Sequence, residues 1–439
     1  MTLDPGALRE ATAALREANL EFARRYPGEN GDPQPVHTLI EGAQHFTADV
    51  AARRGAQALR AIDDYAPDSA TFARALGIAD RADDVLRRVR AKLATSPVED
   101  YRIDFEDGFG VRSDAEEDQR VDEVSQEIAR GLSERMLPSA MGIRIKPLTE
   151  ELRERSVRTL DLMLTALVEK NALPPRWILT VPKVTILPQV DYIVAVLKEL
   201  ERSLGLSIGT LQFEIMVEVP QVILDATGKS LLPLMIDAAD GRLTGIDFGT
   251  YDYTAGVNIT AAHQRLRHPA CDFAKQMMQV AFAGTGIRVA DGSTQQLPVP
   301  RHDEDVQGVH AGWAVHYADV RHSLAGGFYQ GWDLHAAQLV SRYAAVSSFY
   351  LEGVTLAGAR LKKFLDRAAS ASLVGGMMDE PATGQGLLGF FHRAVAAGAI
   401  TATEATTLTG LSGHELRERS IIAIMRQRGI ATANYTVTQ

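Results

Sequence analysis

Carboxylates, a guanidinium and an ammonium recur in this sequence at the downstream ends of short apolar runs. Asp104-Phe105-Glu106-Asp107-Gly108 puts three carboxylates within four residues, and Arg144 sits in Gly142-Ile143-Arg144-Ile145-Lys146. Lys183 follows Val181-Pro182, Glu218 stands in Met216-Val217-Glu218-Val219-Pro220, and Asp252 closes Asp247-Phe248-Gly249-Thr250-Tyr251-Asp252. A charge inside an apolar run is costly to bury unless it is paired or bound to a metal. Taken singly, each has a structural explanation: Glu106 and Asp107 as helix caps or ion-pair partners, Arg144 as a buried ion-pair partner, Lys183 as a strand-end lysine reaching solvent. Glu218 resists that explanation most, because 215–219 is otherwise apolar. Five charged ends in succession outweigh any one of them.

Two or three carboxylates in oxygen-based surroundings suit Mg2+ or Mn2+, which prefer octahedral oxygen ligation and keep waters for a substrate to replace. Zinc-ligand spacing is absent. An arginine facing such a cation can grip a carboxylate with a two-pronged hydrogen bond. Cation and arginine together make a receptor for a 2-oxo acid: the metal chelates the keto and carboxylate oxygens and, as a Lewis acid, stabilises an enolate.

Something must bring these residues together. β-rich runs at 36–40, 101–106, 141–146, 177–181, 213–219, 243–248, 287–290 and 332–335 alternate with helical patterns at 119–132, 149–169, 189–204, 221–238 and 270–283. That alternation implies a parallel sheet, and eight repeats close a (β/α)8 barrel of the TIM type, whose strand ends converge on one mouth. An open doubly wound sheet would ordinarily show a glycine fingerprint after its first strand, and Glu41-Gly42-Ala43-Gln44 has none. The stretch 47–97 is long for one crossover and is expected to hold several helices. The stretch 292–320, rich in Pro, Gln, Asp and Gly, reads as an irregular insertion. The expected organisation is an N-terminal helical segment (1–35), a catalytic barrel (36–350) and a helical C-terminal extension acting as a lid (351–439).

The whole-chain figures are those of an ordinary globular protein: 439 residues, 46% hydrophobic and 23% charged. A net charge of -10 argues against a nucleic-acid partner. A single cysteine, Cys271, allows no internal disulfide and suits a reducing cytoplasm. Residues 1–26 lack a signal-peptide core: Asp4-Pro5 looks like a helix start, with Leu8, Ala11, Leu15 and Phe22 near one face. No apolar run approaches the roughly 20 residues that span a bilayer. His310, His316 and His322 are spaced six apart, which does not make a second metal cluster. His37 and His45 could enter the pocket but read more safely as structural histidines, His335 reads as one that orients the last loop, and Trp313, Trp332 and Tyr329 as packing.

The motifs resemble the HpcH/HpaI aldolase and citrate lyase β-subunit family, a branch of the pyruvate-utilising barrels related to malate synthase. Asp104-Phe105-Glu106-Asp107 is similar to its D-[LF]-E-D signature, Val181-Pro182-Lys183-Val184 to its P-K-V run, and Gly249-Thr250-Tyr251-Asp252 to its G-x-[EW]-D segment. Tyr329 to Gln338 is similar to the turn at the eighth strand, and Gly376-Met377-Met378-Asp379-Glu380-Pro381 to the lid motif. The likeness spans about 36–385. Tyr251 and Ala336-Ala337 depart from the citrate lyase pattern. The resemblance implies Glu218 and Asp252 as ligands of Mg2+ (or Mn2+) and Arg144 as the catalytic group holding the oxo-acid. It implies Gly249, Thr250, Glu106, Asp107 and Lys183 as substrate-binding residues and Asp379 as general acid/base. For Asp379 the residues alone fit a helix N-cap equally well. The implied activity is carbon–carbon cleavage or its reverse on a pyruvate- or glyoxylate-type 2-oxo acid or an acyl-thioester adduct, with a coenzyme A thioester as a further candidate and a homo-oligomer as the expected assembly. Phosphoryl transfer from, or hydrolysis of, phosphoenolpyruvate on the same site is a second reading, and a catalytically silent metabolite-binding subunit a third.

Overall fold

In the computed structural model, residues 8–29, 31, 33–302, 305–366, 372–374, 377–379 and 381–430 are described. Eight parallel strands run β1 (His37–Gly42), β2 (Asp100–Asp104), β3 (Ala140–Arg144), β4 (Trp177–Val181), β5 (Gln212–Val217), β6 (Leu243–Phe248), β7 (Arg288–Ala290) and β8 (Gly331–Asp333). β1 to β7 pair in sequence order, and β8 returns to β1. The seam between β7 and β8 is joined by the Asp291–Gly331 bridge, where Asp291 N–H donates to Gln330 O at 2.9 Å. The result is a nearly closed TIM-type barrel with additional helices.

Successive side chains on a strand face opposite ways, and the two faces differ sharply in composition. Leu39, Ile103, Ile143, Leu179, Phe213, Ile215 and Ile246 turn outward, where the surrounding helices bury them almost completely. The inward set is polar at the base. Arg102, wholly buried, donates to Asp100 at 2.9 and 3.0 Å, to Thr180 at 2.8 Å and to Glu214 at 3.0 Å. Above this layer Ile40, Met216 and Trp332 form a small apolar cluster, with Leu334 packed against it. The same alternation then carries Asp104, Arg144 and Glu218 to the inside of the mouth.

The connection after β1 holds three helices, Val50–Tyr65, Ser69–Leu76 and Ala82–Thr95. Two expectations need correction. The pattern at 221–238 is not one helix but two, Pro220–Ile223 and Leu232–Ala238. Between them the Asp225 Oδ1 accepts N–H bonds from Thr227 and Lys229 at 2.8 and 2.9 Å, and Gly228 takes φ 79°, a turn that interrupts the helix. Nor is 292–320 irregular throughout: Val306–Ala325 is a helix capped by the Asp305 side chain, and it buries Val309, Trp313, Val320 and Leu324. The helix Gln338–Asp366 passes unbroken through position 350, where the C-terminal extension was expected to begin. Near the N-terminus, helix Arg9–Arg25 has no buried residue, and Asp4-Pro5 lies outside the described residues. Among the described residues, no helix is long and apolar enough to cross a membrane.

The histidines divide by position. His37 and His316 converge on Asp333, which accepts from the His37 ring at 2.9 Å and from Arg342 at 2.8 Å and lies 3.0 Å from His316 Nε2, all buried behind the barrel wall. His310 reaches Tyr65 O and His322 reaches Asp272, so the three on the Val306–Ala325 helix share no ligand.

Candidate active site

Strand register sets one corner of the site, because Asp104 and Arg144 are direct cross-strand partners at the ends of β2 and β3. Arg144 donates from Nε to Asp104 Oδ1 at 2.7 Å and from Nη2 to Oδ2 at 2.6 Å. Asp104 also accepts the N–H groups of Glu106 at 2.9 Å and Gly108 at 2.6 Å. Burial alone would raise the Asp104 carboxyl, but Arg144 and these bonds hold it below its ordinary value. Arg144 is held charged in turn, above its ordinary value despite its burial, by Asp104, Glu106 and Glu218. The guanidinium edge best shaped for a two-pronged grip is therefore taken by Asp104. What remains for a ligand is the Nη side, where Nη1 lies 3.1 Å from Glu106 Oε2 and 3.6 Å from the Met216 sulfur.

The opposing corner is built around Lys183. It adopts φ 48°, in the left-handed region that side-chain-bearing residues seldom occupy, and such backbone outliers gather at functional sites. That turn aims its N–H at Glu218 Oε1, 2.6 Å away, while its ammonium pairs with Glu106, with Asp107 at 3.2 Å and with Asp252 at 3.7 Å. Burial works against the charged ammonium, yet Glu106, Glu218 and Asp252 hold its pKa above the ordinary lysine value. Glu218 is 2% exposed, whereas the Asp252 side chain is 45% exposed, so one carboxylate lies deep and the other at the rim. The Glu218 carboxyl is pushed up to about 8, first by burial and then by the charges of Asp252 and Glu106, with Lys183 and Arg144 opposing only in part. The corner carries more negative charge than its two cations offset.

Among the described residues, no group of three or more His, Cys, Asp or Glu side chains is arranged to hold a metal ion by itself. A hard divalent cation still fits the donor set, since Mg2+ takes one or two protein carboxylates and completes its octahedron with water and substrate oxygens. Thr250, 2% exposed, has a buried hydroxyl with no hydrogen-bond partner among the described residues. A Cβ on Gly249 would come within 2.3 Å of the Glu218 Cβ, so the Glu218 side chain lies directly over the one residue type that leaves it room.

A cavity of about 650 Å³ opens at the mouth, lined by Arg144, Asp107, Glu218, Gly249, Thr250 and Asp252 among others. Of the expected site residues, Glu106 and Lys183 are not among its lining. They stand in the wall towards an adjoining groove of about 980 Å³, which Asp107 also lines. Asp379 ends the second strand of a small hairpin, β9 (Ser372–Val374) with β10 (Met377–Asp379), and its side chain lies outside the described residues.

Residues 15–424 match the family described as a domain of unknown function, DUF6986. The chain belongs to that family. No curated protein matches it. Among solved structures, a citrate lyase of Burkholderia xenovorans LB400 is 20% identical with a TM-score of 0.55, over 75% of this chain and 94% of its own, which is a likeness of fold. A malate synthase of Haloferax volcanii, in a structure with glyoxylate, is 14% identical with a TM-score of 0.46, over 90% of this chain and 96% of its own.

Several residues in the cavity escaped sequence reasoning. Asp104 sits inside the D-F-E-D motif, and its task of holding Arg144 follows only once the two strands are set side by side. Glu41, His45 and Arg54, with His335, form the far wall. Trp332, expected as packing, belongs to the floor cluster and also faces the cavity.

Proposed function

We propose that this protein is a divalent-metal-dependent carbon–carbon lyase, or the corresponding condensing enzyme, acting on a 2-oxo acid of the pyruvate or glyoxylate type. The observation that carries the reading is the meeting of Glu218, Asp252 and Arg144 around one cavity at the C-terminal mouth, in a corner with surplus negative charge. The motif resemblance to the HpcH/HpaI and citrate lyase β-subunit family supports the same assignment.

Glu218 and Asp252 would hold the cation, Mg2+ or Mn2+, with Glu218 restrained by the Lys183 N–H. When bound, such a cation supplies Lewis acidity where negative charge develops on the 2-oxo oxygen. Arg144, kept rigid by Asp104, presents its Nη side to the C1 carboxylate. Gly249 and Thr250 bound the same space. Lys183, Glu106 and Asp107 act from the wall by fixing the charge and position of the carboxylates. In the cleavage direction, the C3–C4 bond of a 4-hydroxy-2-oxo acid breaks and the 4-hydroxyl proton passes to a base, a role this reading gives to Asp379. The electron pair left on C3 is then quenched by a proton, releasing the oxo acid.

The test is turnover of a panel of 4-hydroxy-2-oxo acids and acyl-thioester adducts, with and without EDTA. Activity is expected to vanish on chelation, return with Mg2+ or Mn2+, and fall at least a hundredfold in Glu218→Ala, the scale reported when positioned catalytic groups are removed. Activity indifferent to chelation, with Glu218→Ala equal to the native protein, sinks the proposal.

A further inference from the structure

Across the mouth from Arg144 stands a hydroxyl with a proton free to donate. Arg144 closes β3, while Ser293 and Gln295 follow β7, and those two strands lie four apart in the eight-stranded ring. Tyr251, in the first turn of the helix Thr250–Gly256, meets the segment after β7: its hydroxyl oxygen accepts the Gln295 N–H at 2.6 Å. Tyr251, Ser293 and Gln295 line the cavity together with Glu218 and Asp252. At about 650 Å³ the cavity falls in the size class, roughly 300–1,000 Å³, that encloses whole drug-sized ligands, so it has room beyond a three-carbon acid.

A phenol both donates and accepts, whereas a backbone N–H only donates. The bond from Gln295 therefore occupies a lone pair of Tyr251: it fixes where the oxygen sits and leaves the proton uncommitted. Among the described residues that is the one hydrogen bond the hydroxyl makes, and it lies in an exposed position, so a ligand oxygen entering the mouth can take the proton's hydrogen bond without displacing a protein acceptor. The arrangement differs from that of Thr250 next to it, whose hydroxyl is sealed away from the cavity. Two neighbouring residues thus carry hydroxyls, and the tyrosine's is the one within reach.

We infer that Tyr251 is a specificity-determining donor that recognises an oxygen on C4 of the substrate. The inference rests on the proposed oxo-acid site and deepens it. With C1 on Arg144 and the 2-oxo group towards Glu218 and Asp252, the chain beyond C3 runs to the β6–β7 side of the mouth, where Tyr251 stands. In the condensing direction the C3–C4 bond forms as an electron pair of the C4 carbonyl moves onto its oxygen. Tyr251 keeps its own proton and donates a hydrogen bond to that oxygen, which is then protonated by the acid/base. A fixed donor aimed where negative charge gathers is worth most in the transition state. A substrate with a bare methylene at C4 gains nothing from it.

The experiment is calorimetry in the presence of Mg2+ with three probes: oxalate, 4-methoxy-2-oxobutanoate and 2-oxohexanoate. The last two match in length and shape and differ by an ether oxygen in place of a methylene on C4; neither has a 4-hydroxyl whose deprotonation could start cleavage. The native protein is expected to bind the ether more tightly than 2-oxohexanoate by about three- to tenfold, the net worth of one neutral hydrogen bond. Tyr251→Phe, which keeps the ring and removes the hydroxyl, should abolish that preference, while oxalate, which has no C4, changes by less than about threefold. No preference for the ether in the native protein, a preference that survives Tyr251→Phe, or an equal loss for all three probes in that variant overturns this inference and leaves the oxo-acid site standing. Failure of the native protein to bind oxalate overturns the oxo-acid site, and the role of Tyr251 with it.

Discussion

A single methyl group at position 249 tests the geometry around Glu218. Gly249 has φ -98° and ψ 92°, a conformation open to side-chain-bearing residues, so alanine there brings no left-handed strain. Its Cβ would stand 2.3 Å from the Glu218 Cβ and 2.5 Å from Oε2. Non-bonded carbons settle at about 3.5–4.0 Å, so one side must retreat by roughly 1.2–1.7 Å. No side-chain rotation moves the Glu218 Cβ, so backbone must give; with Oε1 tied to the Lys183 N–H at 2.6 Å, the movement falls on the Glu218 carboxylate and on the start of the helix Thr250–Gly256, which carries Asp252. Disturbing groups that orient a metal ligand typically costs about 10–100-fold in metal affinity, and a displacement near 1 Å at reacting groups costs about 10²-fold in rate. Gly249→Ala should therefore weaken Mg2+ binding ten- to a hundredfold by calorimetry and lower turnover about a hundredfold. Its stability should fall by only the ~1–3 kcal/mol usual for overpacking. A folded Gly249→Ala protein with native Mg2+ affinity would refute the reasoning, because the crowded carboxylate would then have no part in holding the cation.

Three further outcomes follow from the scaffold. Gly386 sits on the exposed side of helix Pro381–Ala396 and a Cβ there meets nothing within 4 Å, so Gly386→Ala should raise stability by up to about 1 kcal/mol in scanning calorimetry. Asp333→Ala strands Arg342, His37 and His316 in a dry interior and should cost about 3–5 kcal/mol in urea unfolding; a loss under about 1 kcal/mol would show that the cluster is not held by its carboxylate. Burial, opposed by Asp333, depresses the His316 pKa in the folded state, so folding favours the neutral ring. That contribution is complete above the unfolded value of about 6.5 and is lost as pH falls through the lower folded value. The urea midpoint should accordingly drop between pH 7 and pH 5, and the drop should be shallower in His316→Gln.

The strands were legible because each is an apolar run with a polar stop, and the stops also explain the errors at their ends. The strands end at Asp104, Arg144 and Val217, whereas the runs read from sequence extend to 106, 146 and 219, because the chain beyond stays buried at Phe105 and Ile145, whose N–H groups still donate to Arg144 O at 2.9 Å and Thr180 O at 3.3 Å. The helix Val306–Ala325 was missed for a different reason. Its pattern is diluted by Gly308 and Gly312 and by a histidine, His316, that is buried against Asp333 and Ser341 rather than through hydrophobicity. Composition describes what a segment is made of, and here the burial depended on a partner some seventeen residues downstream.

The site divides along the same line. Glu218 was visible because a carboxylate in the otherwise apolar run 215–219 contradicts its own neighbourhood, and no knowledge of the fold is needed to see the contradiction. Arg144 was visible for the same reason, but its working edge was not. Which nitrogens stay free depends on Asp104 standing opposite it, and that is a fact of register between β2 and β3, not of either strand alone. Arg54 was invisible altogether: it lies on a charged helix where an arginine contradicts nothing, and its place in the cavity lining shows only in the folded barrel. Sequence therefore exposes the groups whose burial is anomalous, while half-buried, paired groups that line the cavity come into view only with the barrel closed.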